Sequence, residues 1–147
     1  MLQRNKLFYI ALPVLTIYLA LLLSGTGANY EKIFALPYAL PVWMFGLIWV
    51  TMCLVMGISA FKANKYLYNR IGNIFYYTQL FLMFIWFLLL FCVDFKIAFA
   101  AIILAIGFAL SAMREFYNLD RKAGLIMLSY ILWVIYLAVI NFFICLS

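Results

Sequence analysis

Charged residues cut this chain into five long stretches that carry no charge at all: Leu7–Tyr30, Ile33–Phe61, Ile71–Val93, Ile97–Met113 and Ala123–Ser147. Only ten Lys or Arg and four Asp or Glu are available, against 71% hydrophobic residues. A soluble domain is ~45–50% apolar and ~25% charged. A small domain has too much surface per volume to hide such an excess from water. An ordinary soluble enzyme and a disordered chain are therefore excluded. Three cysteines are too few for a disulfide-stapled module. The class that remains is an integral membrane protein.

A transmembrane helix needs about 20 mostly apolar residues. The stretches predict an all-α bundle of five transmembrane helices, at about 6–24, 40–62, 72–93, 95–114 and 122–145, forming one domain over residues 1–147. The fourth stretch is short, but Lys96 and Arg114 can carry their charged ends to the two interfaces. A barrel is disfavoured because its strands alternate apolar and polar residues, whereas these stretches are apolar all round. The first stretch exceeds the ~7–15-residue apolar region of a signal peptide. It is read as a retained span, although Thr26-Gly27-Ala28 offers small residues for cleavage.

With five spans, Arg4, Lys6, Lys62, Lys65, Arg70, Arg114, Arg121 and Lys122 share one side, and only Lys32 and Lys96 lie on the other. Basic residues collect on the cytoplasmic side, so the N-terminus is expected inside and the C-terminus outside, in a bacterial cytoplasmic membrane. The net charge of +6 is then explained by anionic headgroups. The basic residues form no patch for nucleic acid. Asp94-Phe95-Lys96 is read as a tight turn between antiparallel helices 3 and 4, and Arg114–Lys122 as the loop between helices 4 and 5. Ala101, Ala105 and Ala109, with Gly107 and Ser111, put small residues at a spacing of four, which suits close helix packing. That stripe serves either the bundle itself or a homodimer seam.

The chemistry available is narrow. Histidine is absent, no span has a charge in its middle, and Cys53, Cys92 and Cys145 lack metal-ligand spacing. Coupled transport normally keeps an ionisable group at depth, so only an uncoupled conduit is compatible. No metal site and no resident cofactor are expected, and any haem would have a Tyr, Cys or Met ligand, or none.

Aromatic residues make up 20% of the chain. Tyr66, Tyr68, Tyr76 and Tyr77 are read as an interfacial belt, where amphipathic rings sit at headgroup level. Two stripes are different. Tyr130, Trp133, Leu137 and Asn141 fall on one helix face, as do Gln79, Met83, Trp86 and Leu90. Each stripe holds one amide, which should face the bundle interior because an unpaired amide in hydrocarbon is costly. The stripes are either structural packing or the wall of an apolar pocket for a flat hydrophobic ligand.

The segment Pro41-Val42-Trp43-Met44-Phe45-Gly46-Leu47-Ile48-Trp49 resembles the P-x-W-x-F-G-x-x-W signature of the TspO/MBR family, the tryptophan-rich sensory proteins. Tyr30 and Ile33 fit that family's Tyr-x-x-Leu, and Tyr38 stands where it usually has Trp. Tyr130-Ile131-Leu132-Trp133 resembles its P-Y-x-L-W with Ser129 in place of the proline, and Asn141 matches the asparagine that follows. The helix 3 motif Asn-x-x-Trp reads Met83-Phe84-Ile85-Trp86, and Ile103 replaces the acidic residue often found in helix 4.

The resemblance implies a five-helix bundle that binds porphyrins or sterol-like lipids and often dimerises. The implied ligand wall comprises Tyr30, Tyr38, Pro41, Trp43, Phe45, Gly46 and Trp49, joined by Gln79, Met83, Trp86, Tyr130, Trp133, Leu137 and Asn141 from the two stripes. A metal-free porphyrin such as protoporphyrin IX is favoured over haem. Some bacterial members are associated with light-driven porphyrin breakdown, which the resemblance assigns to Trp49 and Trp133 as catalytic residues. The expectations are thus a ligand-binding sensor first, a photo-oxidative enzyme or an uncoupled transporter as alternatives, and a ligand-free assembly subunit last.

Overall fold

Backbone surrounded by hydrocarbon finds no water, so stretches this apolar must satisfy their own N–H and C=O groups within a helix. The computed structural model describes residues 6–24, 42–64, 70–92 and 94–146. They form α1 (Lys6–Ser24), α2 (Val42–Ala63), α3 (Arg70–Cys92), α4 (Phe95–Leu119) and α5 (Arg121–Leu146). The all-α class is as expected. Segments of α2, α3, α4 and α5 are each long and apolar enough to cross a membrane. Packing closes the helices into a ring in the order α1, α2, α5, α4, α3. Leu47, Phe81, Leu104 and Leu132 are among the large side chains exposed on its outer surface, as a lipid-facing surface requires.

The junctions show where charge misleads. Asp94 caps α4, its carboxylate accepting from the Lys96 backbone N–H at 2.7 Å, so of the expected turn Asp94-Phe95-Lys96 only Asp94 is outside a helix, and Phe95 and Lys96 already belong to α4. The expected loop at Arg114–Lys122 is not present. α4 runs on to Leu119, Asp120 alone is non-helical, and α5 starts at Arg121. A charge marks where a helix leaves hydrocarbon, not where its hydrogen bonds stop. Phe116 in this extension is fully buried beneath Tyr76, ring centroids 6.0 Å apart. Asp120 Oδ1 accepts from the Lys122 backbone N–H at 2.9 Å and opens the next helix. A Cβ on Gly124 would lie 2.5 Å from Tyr117 Cβ, so the absence of a side chain there lets α5 start against α4.

At the α1–α2 contact, Pro13 lies inside α1 and has no N–H to give the carbonyl four residues earlier, that of Tyr9. The Tyr76 hydroxyl of α3 donates to that carbonyl at 3.5 Å. Tyr76 is fully buried, which corrects its reading as a belt residue. Tyr77 is half-buried, and Tyr66 and Tyr68 lie outside the described residues. Gly57 brings α2 onto the same spot, since a Cβ there would sit 2.6 Å from the Tyr9 oxygen and 2.7 Å from Ile10 Cα.

The small residues of α4 divide between two faces. Ala101, Ala105 and Ala109 are buried within this chain and serve the bundle, so they cannot form a seam between copies. Gly107 is exposed, with nothing within 4 Å of where a Cβ would stand. Four hydroxyls in the helices turn back on their own backbone: Thr16 to Leu12 O, Thr51 to Leu47 O, Thr78 to Ile74 O and Ser111 to Gly107 O. That satisfies them without water.

Candidate functional site

Both sequence stripes face inward. Gln79, Met83, Trp86 and Leu90 of α3 are buried, as are Tyr130, Trp133, Leu137 and Asn141 of α5. They meet across the ring in layers, joined by Trp49 from α2.

In the first layer the Tyr130 hydroxyl donates to Gln79 Oε1 at 3.0 Å, and Gln79 Nε2 reaches Met56 Sδ at 2.9 Å. One amide thus ties α3 to both α5 and α2. In the second layer Trp49 meets Trp133, with ring centroids 5.9 Å apart and planes inclined by 50°. Tyr136 stacks on the same Trp133 ring at 5.3 Å and 30°. In the third layer Trp86 Nε1 donates to Asn141 Oδ1 at 3.0 Å, and Asn141 Nδ2 donates to the Phe95 carbonyl at 3.0 Å. Asn141 therefore locks the Trp86 indole and joins α3, α4 and α5. Closer to the opposite end, Ser59 donates to the Ala123 carbonyl at 2.6 Å, and Asn64 and Asn73 exchange amide hydrogen bonds at 2.8 and 2.9 Å.

Among the described residues the buried polar side chains are Ser59, Asn64, Asn73, Gln79 and Asn141, all neutral. The interior can recognise a ligand through ring faces, shape and a few amide or hydroxyl groups. It offers no charge to an ion.

The structure brings Trp49, Gln79, Met83, Trp86, Tyr130, Trp133, Leu137 and Asn141 into one buried core. It does not bring Gly46 there, which is exposed with nothing near it. Trp43 and Phe45 lie in the first turn of α2, and Tyr30, Tyr38 and Pro41 lie outside the described residues. Sequence reasoning missed Met56 and Tyr136. Each carried a signal: Met56 follows Trp49 by two turns, and Tyr136 follows Trp133 by three residues, which puts each on its partner's face.

This geometry can be set beside known proteins. The description of the TspO/MBR family fits residues 9–146 of the chain. Over 117 residues the chain is 30% identical to the tryptophan-rich protein TspO of Archaeoglobus fulgidus, covering 78% of this chain and 74% of that protein. The resemblance carried by the motifs around Trp49 and Trp133 therefore holds nearly end to end, and the long apolar helices agree with it: the chain belongs to the TspO/MBR family and is a multi-pass integral membrane protein.

Proposed function

We propose that the protein is a membrane sensor that binds flat hydrophobic molecules, protoporphyrin IX or a sterol-like lipid, against the aromatic wall built by α2, α3 and α5. The observation that carries this reading is the meeting of Trp49 and Trp133 at 5.9 Å with Tyr136 stacked behind. Indole faces offer large, rigid, apolar contact to a planar ring system. Asn141 and Gln79 keep the neighbouring Trp86 and Tyr130 in fixed positions, and the buried Trp49 and Trp133 part to admit the ring. On this reading the ligand enters from the end where α1 finishes and α2 begins.

Adding protoporphyrin IX to purified protein should quench tryptophan fluorescence at micromolar concentration. Trp49→Phe and Trp133→Phe should each weaken binding by up to about tenfold, the worth of one aromatic contact. A folded protein whose fluorescence ignores the porphyrin would remove this reading.

The same indole pair favours a second one, light- and oxygen-dependent oxidation of bound porphyrin. The porphyrin absorbance would then decay under illumination in air. A rate unchanged in the Trp49→Phe, Trp133→Phe double variant would sink it.

We further propose that α1 is the fifth span. It packs on α2 and α3, both long and apolar enough to cross the bilayer. The cytoplasmic side of a cell membrane then holds the end with Lys62, Arg70, Arg114, Arg121 and Lys122, and the C-terminus lies outside.

A further inference from the structure

On the outer surface of the ring, away from the aromatic wall, α1 and α3 enclose a groove of about 310 Å³. Leu12, Thr16 and Leu19 form one side, and Tyr77, Phe81 and Phe84 much of the other. The Thr16 hydroxyl is spent on the Leu12 carbonyl, which leaves the lining without a donor for a polar guest on that side. Leu19 and Phe81 are 51% and 63% exposed, so the groove opens outward. Its α3 wall lies within the membrane-crossing segment Arg70–Leu90, and what it opens onto is hydrocarbon.

Shape and charge narrow the occupant. Each wall extends over eight residues, or ~10 Å of helix, and the volume holds on the order of ten methylene-sized groups at ~30 Å³ apiece. That suits part of one acyl chain and is far too small for a tetrapyrrole. The helices run parallel, for Tyr9 meets Tyr76 and Leu12 to Leu19 lie along Tyr77 to Phe84. Both therefore begin at the same end, α1 with Lys6 and α3 with the exposed Arg70, about 10 Å beyond the groove. The exposed Arg70 and two positive helix ends favour a phosphate there.

We propose that this groove is a resident lipid site, which holds one acyl chain of an anionic phospholipid with its headgroup phosphate at Arg70 and the start of α1. The site needs α3 to cross the bilayer but does not rest on the aromatic wall.

The test is native mass spectrometry of the protein released from nanodiscs of mixed phosphatidylglycerol and phosphatidylcholine. The wild-type chain should retain one phosphatidylglycerol at energies that strip phosphatidylcholine. Arg70→Gln should lower that preference about fivefold, the worth of one basic residue at a charged surface. Thr16→Phe and the milder Leu19→Trp, which fill the groove, should lower retention of either lipid about tenfold, the worth of two methylene contacts. Circular dichroism checks that the variants fold, and Leu19→Trp keeps the test open where Thr16→Phe does not. Protoporphyrin quenching should be unchanged in them, so a failure of the aromatic site reads separately. Equal retention of the two lipids, or retention that ignores both groove-filling variants, overturns the proposal. So does a dimer that the groove-filling variants split, which would make a second copy the occupant.

Discussion

Asn141 joins three other residues in the bundle interior. Its oxygen takes the Trp86 N–H, and its nitrogen gives to the Phe95 carbonyl and approaches Cys145 Sγ at 3.7 Å. Asn141→Leu keeps the branched shape but strands an indole N–H in hydrocarbon. It should destabilise the fold by about 1–2 kcal/mol, the range of interhelical hydrogen bonds in membranes. Denaturant titration in detergent would measure it. In a Trp86→Phe background, where the N–H is already gone, the cost should shrink, and equal costs in both backgrounds would show that Asn141 acts only through Phe95. The inward direction of Asn141 and Gln79 was legible because an amide in an apolar stripe has only one inexpensive place to go. Tyr76 was less legible. A tyrosine suits the headgroup level as well as a core, and only its place one turn before Gln79 on the same helix face separates the two. Its partner, the Tyr9 carbonyl freed by Pro13, could not be found without knowing that α1 lies beside α3.

At the scale of elements, the uncharged runs pointed to the helices directly, with α1 at its observed ends, but closed α4 too early, at 114 rather than Leu119. α4 outlasts the last hydrophobic run because Arg114 and Glu115 are good helix residues and Phe116 still has a core to enter. Contacts between elements were also hidden, since a glycine's neighbours are set by tertiary packing. The four described glycines treated above sort into two kinds. Gly57 and Gly124 stand against backbone or Cβ atoms that cannot swing away, whereas Gly46 and Gly107 face open space. Gly57→Ala should push α1 from α2 at a cost of about 1–3 kcal/mol, the usual cost of overpacking. Gly107→Ala should stay within about 0.5 kcal/mol of the parent, as for surface changes generally. Melting the two variants side by side in the same detergent checks the contrast. A Gly57→Ala protein as stable as Gly107→Ala would mean that α1 is not seated on α2 as described.

For the whole molecule, the all-α class and membrane setting followed from how few charges the chain carries, and the family from two tryptophan motifs. The ring order did not, because period and composition say which face is buried but not against which neighbour. The proposed orientation can be tested on the intact chain. A fluorescent reporter that matures only in the cytoplasm should glow when fused to the N-terminus and stay dark when fused to the C-terminus. The opposite pattern would invert the proposal. The ring order also has a consequence in time. α3, α4 and α5 follow one another through very short joints, the last of them the single residue Asp120, so they can dock as soon as each leaves the ribosome. α2 is made early, yet its ring neighbour α5 is made last, and Trp49 must wait for Trp133 to emerge. The aromatic wall is therefore absent from every nascent chain that lacks its final helix, and a protein truncated before α5 could enter the membrane and still lack the proposed site.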